Sequence, residues 1–188
     1  MGAIFQSLGR TVFAGFAILV LLIIATGAGA RMGDASWWAF VFRWLHVLSG
    51  VMWVGILYYF NFVQIPSMPK IPDEQKPAIG KVIAPAALFW FRWSALATVV
   101  TGIALAGKYR YLGSALTLGE GHVYIGIGMW LALIMAFNVW FIIWPNQKKA
   151  LGIVQVDADA KAKAARVAMI TSRVNTMLSI PMLFCMVA

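Results

Sequence analysis

Long apolar runs alternate with short polar stretches along this chain, and the runs predict five membrane-spanning helices. From Thr11 to Ala30, between Arg10 and Arg31, no charge interrupts the sequence. At about 1.5 Å of rise per residue, such a run crosses the roughly 30 Å of bilayer hydrocarbon. Its small-residue end, Gly27 to Ala30, has the form of a signal-peptidase site. The run nevertheless exceeds the roughly 7–15 apolar residues of a signal peptide, so a retained span over about 11–30 is expected. The second span is expected over about 37–64, with Ser36 as N-cap and Trp37 and Trp38 at headgroup level. Pro66, Pro69 and Pro72 are expected to end it, and an extended polar loop should run from Ile65 to Ile83. A third span follows over about 84–106, with Pro85 in its first turn, where proline is tolerated. The fourth, about 122–144, should stop at Pro145-Asn146. The fifth, about 166–188, carries Thr171, Ser172, Arg173, Asn175, Thr176 and Ser179 and should kink at Pro181; a helix this polar is expected to face protein rather than lipid.

Composition agrees with that pattern. Of 188 residues, 62% are hydrophobic and 11% charged, against about 45–50% and about 25% in soluble domains. A single integral membrane domain over residues 1–188, an all-α polytopic helical bundle, is therefore expected. The net charge of +9 reads as an orientation signal and calls for no nucleic-acid partner. Nine Lys and Arg fall on the N-terminus and the second and fourth loops, and three (Arg31, Lys108 and Arg110) on the opposite side. This places the N-terminus in the cytoplasm and, with five spans, the C-terminus outside. The single cysteine, Cys185, excludes an internal disulfide, a Cys-X-X-Cys metal site and covalent c-type haem attachment within this sequence. Phosphate-binding Gly-rich loops and Gly-X-Ser-X-Gly elbows are absent as well.

Three arginines, Arg43, Arg92 and Arg173, fall inside predicted spans, whereas all six acidic residues fall in loops. An intramembrane charge costs about 2.5–3.5 kcal/mol on the insertion scale, so each guanidinium needs compensation. Arg43 is placed to snorkel outward. Arg92 and Arg173, in the inner half with Asn61, Asn138 and Asn175, admit three readings: interhelical hydrogen bonding, contact with a partner subunit, or a site for an anionic substrate built from Arg92, Arg173 and Asn138. Trp90 and Trp93 flank Arg92 and offer it cation–π faces.

His46 shares a helical face with Arg43, Gly50 and Trp53 at 3.6 residues per turn. That face combines an imidazole for iron, a cation for propionates and a gap for a flat macrocycle, which suits a b-type haem with His46 as the metal ligand. The alternative is a neutral histidine bonded within the bundle. His122, the other histidine, is a candidate second ligand, but it lies at the mouth of the fourth span, at least about one helical turn shallower. It is equally suited to capping that helix or meeting Glu120 at the surface.

Arg43-Trp44-Leu45-His46-Val47 with Gly50, Trp53 and Gly55, then Phe91-Arg92-Trp93, and Asn138 ahead of Trp144-Pro145-Asn146-Gln147, resemble the membrane domain of bacterial PuuD-type urate oxidases, the urate oxidase N-terminal family. The resemblance runs from about Trp37 to the end. It implies a cytoplasmic-membrane oxidase module that takes electrons from a purine-derived anion and passes them to cytochrome c, with His46, Arg43 and Arg92 as positions to test. This sequence has no Cys-X-X-Cys-His motif, so a short form without the cytochrome c domain, working with partner chains, is expected. Two functions follow: a membrane redox or electron-transfer subunit binding haem b, or a non-catalytic accessory subunit of a larger membrane complex or homo-oligomer.

Overall fold

A computed structural model describes residues 2–188, and among these no strand is present. Five helices are long and apolar enough to cross a membrane: α1 (Leu8–Ala25), α2 (Ala35–Lys70), α3 (Lys76–Lys108), α4 (Val123–Ala150) and α5 (Ala158–Val187). A short helix, Leu112–Leu116, lies between α3 and α4. The chain divides into two compact units, Met1–Val41 and Phe42–Ala188.

In the first unit, α1 has no buried residue, as befits an apolar helix whose solvent is lipid. The indole of Trp38 donates to the Met32 carbonyl (3.0 Å) and meets Trp37 edge to face. Helix α2 begins at Ala35, one residue before the expected cap Ser36, with the Trp37 N–H bonded to the Asp34 carbonyl.

The second unit is a bundle whose core comes from residues recurring every three or four positions: Trp53, Leu57 and Phe60 on α2, Leu88, Phe91 and Ala95 on α3, Met135, Val139 and Ile143 on α4, with Met182 from α5. The buried stripe of α5 is small and polar, Ala164, Ala168, Ser172, Asn175 and Ser179. Stripes of this kind let membrane helices approach closely and bond across the contact. Gly128 of α4 sits close against α5: a β-carbon there would stand 3.2 Å from Cys185 Cβ and 3.4 Å from the Met182 carbonyl oxygen.

The helices run past the expected ends. Helix α2 continues through Pro66 to Lys70, α3 restarts at Lys76, and α4 continues through Pro145 to Ala150, so the extended loop expected over 65–83 shrinks to residues 71–75. The reason is local. Three π-helical segments, Tyr59–Gln64, Ile79–Ile83 and Asn138–Ile143, each stand immediately before a resumed α-turn that carries proline at its second position, Pro66, Pro85 and Pro145. Proline lacks an N–H and crowds the carbonyl four residues back. Bonding from i to i+5 widens the preceding turn and supplies that carbonyl with a different donor. Helix α5 likewise remains continuous through Pro181.

Polar signals fix the true ends. Asp157 caps α5, accepting from Ala160 N–H at 2.7 Å. At the end of α4, Gly152 (φ +75°) donates to the Lys149 carbonyl while Ile153 N–H reaches that of Lys148, a Schellman turn. Helix α3 ends in the same way, but with Arg110 in the left-handed position (φ +59°) and Tyr111 N–H bonded to the Ala106 carbonyl. That turn sets Tyr109 and Tyr111 side by side.

Candidate functional site

One large cavity, about 840 Å³, opens between the helices of the second unit, bordered on α2 by Arg43, His46, Gly50 and Trp53, on α3 by Thr98 and Gly102, and beyond α3 by Tyr109 and Tyr111. Helices α4 and α5 close it with Met129, Met182 and Met186. A smaller lobe of about 160 Å³ adjoins His46, Thr98 and Gly102. The four residues of the α2 face that the sequence singled out for a cofactor, Arg43, His46, Gly50 and Trp53, are thus brought to one chamber. Among the described residues, no carboxylate borders it.

His46 is held rigidly. Its Nδ1–H donates to the Thr98 carbonyl oxygen at 2.9 Å, with the Thr101 hydroxyl 3.4 Å away. A carbonyl accepts only, so Nδ1 carries the proton in the neutral ring and Nε2 keeps its lone pair. This is the usual way a protein sets the tautomer and orientation of a metal-ligating imidazole. The ring rests against Gly102, where a β-carbon would stand 2.9 Å from Cε1. Gly50 is less demanding, since a β-carbon there meets only Thr98 Cγ2 at 3.8 Å. The glycine that makes room for the imidazole therefore lies on α3. Its sequence signal, a glycine one turn after Thr98 in an apolar helix, is too common to single out.

Arg43 donates to the Tyr109 hydroxyl and lies over the Tyr109 ring, 5.3 Å from its centroid. Tyr109 stacks on Tyr111 (6.3 Å, 12°) and Tyr111 on His122 (5.2 Å, 17°). His122 does not border the cavity. It occupies the position before α4, with Nδ1 3.0 Å from the Ser114 hydroxyl oxygen. Burial pushes the Tyr111 hydroxyl above the ordinary tyrosine pKa, partly offset by the Arg43 charge, with Tyr109 adding to the rise. Trp53 is fully buried, borders the chamber, and has an indole N–H without a partner.

The inner candidates separate. The Arg92 guanidinium stacks 3.4 Å over Trp144, whose ring also faces Lys148 Nζ at 5.6 Å. Trp93, expected to flank Arg92 as a cation–π partner, instead meets Trp140 edge to face at 5.5 Å, and Trp90 pairs with Phe89. Asn138 is engaged within the core: its Nδ2 donates to Asn175 Oδ1 (2.8 Å), and Asn175 Nδ2 donates to the Met135 carbonyl (3.0 Å). Asn61 donates to the Ser172 hydroxyl, and Tyr58 meets Ser179 at 2.9 Å. Arg173 is exposed. No cavity or hydrogen bond unites Arg92, Arg173 and Asn138 among the described residues. The polar face of α5 is interhelical glue, as its composition indicates.

Fold and chamber define a polytopic α-helical membrane bundle with an imidazole inside its apolar interior. Within that class, the family model described as urate oxidase N-terminal matches residues 114–188, less than half of the chain, and that segment is similar to the family. The match takes in His122, α4 and α5, and ends short of Arg43, His46 and Arg92, so it is narrower than the resemblance from about Trp37 onward. No curated protein and no solved structure gives a match.

Proposed function

We propose that this chain is a redox subunit of the bacterial cytoplasmic membrane that holds a b-type haem on His46. The observation that carries this reading is the Nδ1–H bond to Thr98, which leaves the lone pair of the other ring nitrogen open to a ligand. The chamber suits the group. Its volume of about 840 Å³ lies in the upper part of the roughly 300–1,000 Å³ range of cofactor and small-molecule sites, and its walls are chiefly apolar. When bound, haem supplies an iron that stores and releases one electron. Thr98 orients the imidazole, Gly102 leaves the ring its place, and the apolar walls exclude water. Arg43, anchored on Tyr109 at the rim, presents a cation to propionates, and the indole N–H of Trp53 is a further unengaged donor. An outer electron acceptor of the cytochrome c type fits the family resemblance, and Tyr109 and Tyr111 border the chamber beyond α3.

The test is an absorption spectrum of the protein purified in mild detergent from haem-replete cells, oxidised and then dithionite-reduced. A Soret band lost in His46→Ala is expected. A correctly folded, pigment-free preparation would overturn the reading.

Arg173 supports a second reading. It is an exposed cation inside α5 and has no carboxylate partner among the described residues, which suits an accessory subunit whose partner or second copy supplies the anion. Native mass measurement in mild detergent tests this, and a stable monomer would count against it.

A further inference from the structure

The chamber is rich in sulfur on the side formed by α4 and α5. Besides His46, the bordering side chains with an atom that can coordinate iron are Met129, Met182, Met186, Tyr109 and Tyr111. The tyrosines are poor candidates, since the Tyr109 oxygen already accepts from Arg43 and Tyr111 is stacked between two rings at the rim. Their surroundings separate the methionines. Met182 is buried in the core with Trp53 and borders the large chamber but not the smaller lobe. Met129 and Met186 border both the chamber and the smaller lobe, as His46 does. Met186 is engaged in packing: its terminal methyl rests on Gly128, 3.3 Å from where a β-carbon would stand. Met129 follows Gly128 on α4, is partly buried and borders both spaces.

We propose that the Met129 thioether is the second axial ligand of the haem iron held by His46, making the site six-coordinate through one imidazole and one thioether. The proposal rests on the haem reading above. A thioether is a soft, neutral ligand that favours ferrous iron and raises the reduction potential relative to nitrogen ligation. The iron would then accept electrons readily and release them to a high-potential acceptor. With neither a carboxylate nor a thiolate on the chamber wall, nothing opposes that tuning.

Met129→Leu removes the sulfur at nearly constant volume, a swap cores tolerate well. The unmutated protein should be low-spin in both oxidation states and show the near-infrared thioether-to-ferric charge-transfer band. Met129→Leu should keep the same haem per protein, lose that band, become five-coordinate and high-spin, bind carbon monoxide faster when reduced, and have a lower midpoint potential. Met186→Leu should remain low-spin. Magnetic circular dichroism of the unmutated protein reads the thioether directly, which keeps the proposal testable even where a variant folds poorly. Pigmented protein that lacks the band, or that keeps it in Met129→Leu, overturns the Met129 ligand and leaves the haem reading standing. Protein without pigment overturns both.

Discussion

Gly102 of α3 faces His46 of α2 so closely that a β-carbon would stand 2.9 Å from the ring's Cε1 and 3.1 Å from Nδ1. The atoms in the way belong to the very ring that Thr98 holds, so a methyl group here can be accommodated only by breaking that alignment. Overpacking costs about 1–3 kcal/mol, equivalent to roughly ten- to hundredfold in affinity. On the haem reading proposed above, Gly102→Ala should weaken haem binding by about that factor, read from the Soret absorbance in a haem titration. Gly50→Ala, whose β-carbon meets Thr98 Cγ2 at an ordinary 3.8 Å, should do so far less. Equal pigment in the two variants would show that the ring has room to move.

Arg92 depends on the flat face of Trp144, 3.4 Å away. A guanidinium stacks on an indole through its plane, whereas an ammonium is a compact, strongly hydrated point charge. Cation–π pairs are worth about 0.5–1 kcal/mol when exposed and about 2 when desolvated. Arg92→Lys should lower the melting temperature in detergent, and it should lower it little further in a Trp144→Leu background. Additive losses would mean that Arg92 acts elsewhere.

The sequence showed the five spans, their apolar faces and the grouping of Arg43, His46, Gly50 and Trp53, because one helical face is a local property with a known period. Helix ends were less legible. Pro66, Pro85 and Pro145 read as breakers or starts, and only the π segments before them allow the helix to continue; that bonding pattern has no simple residue signature. Contacts between helices were the least legible. Nothing in the one-dimensional pattern says that Thr98 and Gly102 face His46 across 52 residues or more, or that Arg92 chooses Trp144 over its sequence neighbour Trp93. Those choices are made by register between helices.

Asn138 and Asn175 are buried and bonded to each other at 2.8 Å, with Asn175 passing a second bond to Met135 at 3.0 Å. Interhelical hydrogen bonds in membranes average about 0.6 kcal/mol, with model peptides giving about 1–2. Removing one partner leaves the other unpaired in an apolar core, which costs more than removing both. Asn138→Leu and Asn175→Leu should each destabilise the bundle, and the double variant should fall short of their sum. Reversible unfolding in mixed micelles measures the cycle. Strict additivity would mean that the two amides are not coupled.

Tyr111 ties stability at alkaline pH to the rim of the chamber. Burial raises its pKa, and the Arg43 charge offsets only part of that rise. Below the ordinary tyrosine value of about 10, folded and unfolded chains both keep the proton, and the residue adds no pH dependence. Above it, the unfolded chain releases the proton while the folded chain retains it, so stability falls as pH rises toward the higher folded value. Tyr111→Phe should flatten the decline of melting temperature between about pH 9 and about pH 11, and parallel curves for the two proteins would remove Tyr111 from the account. The same protonation bears on the site. Near neutrality the Tyr111 ring beside Arg43 is a neutral phenol, so it cancels none of the guanidinium charge at the rim.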